Sequence, residues 1–127
     1  MLSISPAVKI FLAVAHTDMR KSHDGLAALV EQVLQSDPLS GHLFVFRNKA
    51  ADRIKLLYWD EDGYCLWYKR LEKGSFRFPA AAEGTARLTI TASDLGLLLS
   101  GIDLASVQRQ QRFRLPAEKS SEKSGSS

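Results

Sequence analysis

The stretch from Asp52 to Arg70, DRIKLLYWDEDGYCLWYKR, leaves few folds open because it reads as one β-hairpin. Runs rich in Ile, Leu, Tyr and Trp flank Asp60-Glu61-Asp62-Gly63, a cluster of turn formers. The order x-x-Asp-Gly suits a type I turn closed by glycine in the left-handed region, giving a three-residue loop with a bulge. That register sets Trp59 opposite Cys65, Tyr58 opposite Leu66, Leu57 opposite Trp67 and Leu56 opposite Tyr68. One face then carries Ile54, Leu56, Tyr58, Tyr64, Leu66 and Tyr68, an ordinary core. The other carries Leu57, Trp59, Cys65 and Trp67, edged by Arg53, Lys55 and Lys69. Flat rings beside cations suit a surface that stacks bases and neutralises phosphates. The same rings also suit burial under another element, with the cations at the rim, since large aromatics are more often buried than displayed. A two-residue Asp62-Gly63 loop would shift the pairing and mix the two faces.

At 127 residues and 45% hydrophobic, the chain fits one domain with one core. The apolar run 7–15 follows no positive segment and leads straight into His16-Thr17-Asp18, so neither a signal peptide nor a membrane span is expected. Cys65 is the one cysteine, which excludes an internal disulfide and fits a reducing cytoplasm. Residues 1–105 hold 12 Lys/Arg against 12 Asp/Glu, so the net +3 lies entirely in residues 106–127. A neutral body with a basic tail suits contact with nucleic acid or an acidic partner, and equally a solubilising terminus.

Along the chain, Val8 to Val14 reads as a strand begun after Pro6. Ser22 or Asp24 can cap the next helix, whose apolar stripe is Leu26, Leu29, Val30, Val33 and Leu34. Asp37-Pro38 stops it. Leu43 to Arg47 is apolar on both parities, the pattern of an interior strand. After the hairpin, Phe76-Arg77-Phe78 reads as a short edge strand ended by Pro79. Arg87 to Thr91 alternates as a half-buried strand, and Ser93 caps a short helix bearing Leu95, Leu98, Leu99 and Ile102. From Ser106 onward no apolar period remains, and disorder is expected. These elements imply a single small α+β domain over 1–105. It would hold a mostly antiparallel, twisted sheet of five or six strands, one main helix packed on the Ile54/Tyr58/Leu66 face, and a short C-terminal helix.

No catalytic constellation stands out. His16, His23 and His42 lack the spacing of a helical zinc pair, and one cysteine cannot build a cysteine-rich site. Asp60, Glu61 and Asp62 are explained by the turn. Neither a phosphate-binding glycine loop nor Gly-x-Ser-x-Gly is present in the sequence. Asp18-Met19-Arg20-Lys21 places two cations before a helix N-terminus, where phosphate also binds, although a solvated connector reads the same way. Arg47, Lys49, Arg53 and Lys55 against Asp52 form a local basic patch, which is also how a solvated sheet edge resists strand addition.

Four segments carry a family resemblance: DMRK leading to DGLAALV at 18–30, GHLFVFRN at 41–48, DRIKLLYWD at 52–60, and GYCLWYKRLE at 63–72. In this order they resemble the small TnpB-type (Orf2-like) accessory proteins of the insertion sequence sixty-six family of bacterial transposons. The resemblance covers roughly 4–105. His23 departs from an aromatic residue expected there, and Ala50-Ala51 from more basic residues, which weakens a phosphate-binding role for that junction. The resemblance implies a partner to a separate, larger transposase bearing the DDE catalytic acids. The expectation is therefore a non-catalytic, cytoplasmic accessory factor in DNA transposition, with no cofactor and no metal. In one mechanism it binds DNA near the element ends. Arg20, Lys21, Arg47, Arg53, Lys55, Lys69 and Arg70 would hold phosphates, and Trp59 and Trp67 would stack on bases. In the other it docks on the transposase or another accessory protein through the same aromatic face.

Overall fold

The computed structural model describes residues 5–101. Strand β1 (Ile10–Ala13) is followed by helix α1 (His23–Gln32), β2 (Leu43–Arg47), β3 (Arg53–Asp60), β4 (Gly63–Arg70), β5 (Arg87–Ile90) and helix α2 (Ala92–Leu99). One five-stranded sheet results, in the order β4-β3-β2-β1-β5. β1 and β2 run parallel across the α1 crossover, and the other three pairings are antiparallel. The expected α+β domain with a mostly antiparallel sheet is what forms. The basic tail from Ser106 lies outside the described residues.

The sheet is covered on both faces, and side-chain alternation assigns each residue to one of them. Phe11, Phe44, Phe46 and Leu57 face α1 and pack with Leu26, Val30 and Leu34. Ile10, Leu12, Leu43, Val45, Ile54 and Leu56 face the other way, against Leu95, Leu98 and Leu99 of α2 and the loop residues Phe76 and Phe78. β1 and β2 are therefore buried on both parities, as their continuous apolar runs require. Each fully buried Leu or Phe contributes about 1.5–3 kcal/mol relative to exposure.

Several local expectations are corrected. The hairpin closes with Asp60 opposite Gly63, so its loop is Glu61-Asp62 and no bulge follows. Glu61, not Gly63, takes the left-handed conformation, at φ 55°. The register moves by one residue: Trp59 faces Tyr64, Tyr58 faces Cys65, and Leu56 faces Trp67. α1 accordingly covers the Leu57/Leu66 face, while Ile54 and Tyr58 lie on the opposite side. The segment Phe76–Phe78 forms no strand; both rings plug the α2 side of the core from a loop. α1 ends at Gln32, before Val33 reaches the stripe, and Val33 is 46% exposed. Ser22 sits at the N-cap of α1 without a side-chain cap, its hydroxyl bonding His23 instead. Thr91, rather than Ser93, caps α2, in a reciprocal box with Asp94.

Candidate nucleic-acid interface

β1 and β2 end side by side, and their carboxyl ends release the chain in different directions: β1 into the connector toward α1, β2 into the turn toward β3. Crevices form at such points in open sheets with parallel strands. Here one opens between the connector and the turn, about 670 Å³ in volume and open to solvent, lined by His16 to Arg20, Asn48 to Ala50, and Arg53. Arg20, Lys49 and Arg53 line it against a single carboxylate, Asp18.

Both walls are fixed by hydrogen bonds. Thr17 is buried, and its N–H donates to the Arg47 carbonyl at 2.7 Å, tying the connector to the end of β2. The Lys55 stem is buried, and its ammonium donates to the carbonyls of Met19 and Lys21, each at 2.8 Å. Across the crevice the Asn48 side chain pins its own turn. Its Oδ1 accepts from the Arg53 N–H and its Nδ2 donates to Asp52. Ala51, at φ 61°, presents its carbonyl to the Phe76 N–H. A turn held this way loses little entropy on contact with a ligand.

Arg20 stands 92% exposed at the rim, with its guanidinium on the Asp18 carboxylate at 2.7 Å. Asp18 Oδ1 also accepts the Arg20 backbone N–H. The Arg20 hydrogen bonds hold the Asp18 carboxyl down at about 2, below the usual carboxylate range, and the carboxylate raises Arg20 in return.

The nine residues singled out from the sequence do not share one surface. Arg20 and Arg53 line the crevice, and Lys21 is exposed just beyond it. Lys55 faces the same side, but its ammonium is committed to backbone carbonyls and lies 5.1 Å from the Tyr68 ring centroid. Arg47 lies on the α2 side, its guanidinium carbon 4.2 Å from the Phe78 ring centroid, where burial lowers its pKa. Lys69 is on that side too, donating at 2.9 Å to the Leu99 carbonyl at the end of α2. There a cation meets the negative end of the helix. Arg70 pairs with Glu72 at 3.2 Å.

The expected pairing of Trp59 and Trp67 on one face is overturned by the register. Trp59 sits on the α1 side, its ring edge-to-face with Tyr64 at 5.0 Å between centroids, while Trp67 packs into the α2-side core. The aromatic-cationic face read from the sequence is thereby divided between two surfaces. Lys49 and His16 join the crevice without having been singled out as binding residues. Lys49 belonged to the basic patch around the strand junction, and that was the signal that could have found it. His42 Nδ1 accepts the Lys9 N–H at 3.0 Å. Among the described residues no three His, Cys, Asp or Glu side chains gather as a metal site, and no helix is long and apolar enough to cross a membrane.

A small α+β domain with a preorganised basic crevice at the end of a parallel strand pair is the class this geometry defines. The family model described as IS66 Orf2 like protein matches residues 8–109, and the chain belongs to that family. It is thus a transposition-associated accessory protein. Two proteins of Sinorhizobium fredii (strain NBRC 101917 / NGR234) are similar over most of their length. The uncharacterized protein y4hO is 42% identical over 103 residues, 81% of this chain and 88% of the relative. The uncharacterized protein y4jC is 38% identical over 110 residues, 87% and 92% respectively. No solved structure matches the chain significantly.

Proposed function

We propose that this protein is a non-catalytic accessory factor that acts in the cytoplasm by binding DNA near the ends of its element. The carrying observation is the crevice, where Arg20, Lys49 and Arg53 line a concave, solvent-open wall opposed by Asp18 alone. Its shape and charge suit a phosphate backbone rather than base edges, so the contacts position DNA without reading sequence. Lys21 extends the basic rim, and the basic residues of 106–127 add non-specific attraction. Lys55 supports the wall from behind. Neither a cofactor nor a metal has a part in this reading.

Mobility shifts of element-end DNA, run across a salt series, test it. Each phosphate contact contributes about 0.9 to the slope of log affinity against log salt. The triple variant Arg20→Ala, Lys49→Ala, Arg53→Ala should lose about 2–3 units of slope. Unchanged affinity and slope would remove the crevice from the account. The second reading is docking on the element's DDE transposase, favoured by the partly exposed Trp59–Tyr64 pair and by Tyr68, 49% exposed, on the α1 side of the hairpin. Co-purification with the transposase that survives nuclease and high salt, and fails in Trp59→Ala, would support it.

A further inference from the structure

The two edges of the sheet differ in a way the DNA-binding reading does not use. β5 is four residues long, and its Arg87 and Thr89 are exposed. β4 is eight residues long and pairs with β3 without interruption from Arg70 opposite Arg53 to Gly63 opposite Asp60. It contains no proline, no bulge and no interior glycine, and among the described residues β3 is its only neighbour. Long regular edges of this kind are ordinarily blunted or covered.

The direction of its free backbone groups follows from the ladder. Antiparallel pairs alternate between those that exchange hydrogen bonds and those that do not. The Leu71 N–H donates to the Asp52 carbonyl at 2.8 Å, so odd-numbered residues bond toward β3. Tyr64, Leu66, Tyr68 and Arg70 therefore direct their N–H and C=O groups away from the sheet.

The charge along this edge is polar end to end. Asp60, Glu61 and Asp62 stand at its start, and Lys69 and Arg70 at its finish. A parallel neighbour of the same sequence would set like charges together. An antiparallel one sets acids against bases.

We infer that β4 is the interface of a homodimer, pairing antiparallel with β4 of a second copy about a two-fold axis at Leu66. In that register Leu66 meets Leu66 and Tyr64 meets Tyr68 on the α1 side, and Asp62 of the turn falls opposite Arg70. Cys65 meets Trp67 on the other. The outward groups of Tyr64, Leu66 and Tyr68 then pair in full, and the two sheets become one of ten strands. Arg70 exchanges its exposed contact with Glu72 for the partner copy's carboxylate, and symmetry makes the exchange twice.

Sedimentation equilibrium of the full chain, free of nucleic acid, across micromolar to millimolar concentration, reads the mass directly. Two chains per particle are expected for the wild type. Arg70→Glu faces Asp62 with a like charge at both symmetric positions and should weaken the dimer about tenfold. Adding Asp62→Arg to it should restore the dimer. Tyr68→Pro removes an outward donor and should give monomer, with circular dichroism confirming the fold. If Tyr68→Pro does not fold, the charge pair decides alone. A wild-type monomer at all concentrations, or a dimer indifferent to Arg70→Glu, overturns the inference.

Discussion

The Lys55 ammonium donates to the Met19 carbonyl at 2.8 Å across 36 residues of sequence, and to the Lys21 carbonyl at the same distance. A buried lysine is costly unless its charge is satisfied, and two carbonyls of one connector supply that here. The strand thereby fixes the segment that carries Arg20. Lys55→Met keeps the stem's volume and strands both carbonyls. A loss of about 2–4 kcal/mol is expected, read as a lower urea midpoint with unchanged slope. Alanine at Arg53, Lys55 and Lys69 together would test folding more than binding, because Lys69 also bonds backbone, at Leu99.

Asp18 and Arg20 make a second, opposite prediction. The Arg20 hydrogen bonds depress the folded carboxyl to about 2, from 3.8 for the unperturbed group. Whatever stability the pair contributes is complete above the unfolded value and disappears as pH falls through about 2. It is small, since both groups are exposed. NMR titration of the Asp18 carboxyl should show that midpoint. Asp18→Asn retains the Oδ1 acceptor for the Arg20 N–H and releases the guanidinium. DNA affinity should therefore rise, by about two- to fivefold at low salt and less at high salt.

The tryptophans should separate in their effects. Trp67 packs with the α2-side core, so Trp67→Ala should cost about 2–4 kcal/mol. Trp59 loses chiefly its contact with Tyr64, and Trp59→Ala should cost about 1–2 kcal/mol. Neither should change the salt slope of DNA binding. Chemical denaturation and mobility shifts of the two variants check both statements.

The strands and both helices were legible because their apolar patterns are period-specific: Leu43–Phe46 on both parities, Leu26 and Val30 one turn apart. The parallel β1–β2 pairing was not, since Val8–Val14 carries no mark of direction. Nor was the site. Lys55 and Lys69 read as surface cations because a lysine in a strand shows its charge and hides its acceptors, which here are carbonyls more than 29 residues away. Arg20 and Lys49 meet only once the crossover brings two connections together. The hairpin forms as expected, but its register differs for a specific reason. Asp62-Gly63 favours glycine in the left-handed position, but burial of Leu57 and Leu66 against α1, with Leu56 against α2, fixes a register one residue away. Packing outweighs turn preference there.

That conflict leaves a measurable residue. Glu61 holds φ 55°, a conformation that costs an ordinary L-residue about 1–2 kcal/mol, whereas asparagine tolerates it. Glu61→Asn should therefore stabilise the protein by about 0.5–1 kcal/mol. Gly63 needs no left-handed conformation, and a Cβ added there meets nothing within 4 Å. Gly63→Ala should be close to neutral, within about 0.5 kcal/mol. A three-residue bulged loop predicts the contrary pattern, with Gly63→Ala destabilising and no gain from Glu61→Asn, because its glycine would carry the positive φ and Glu61 none. Thermal melts of the two variants thus test the register directly. With it they test whether Trp59 and Trp67 can ever share a face.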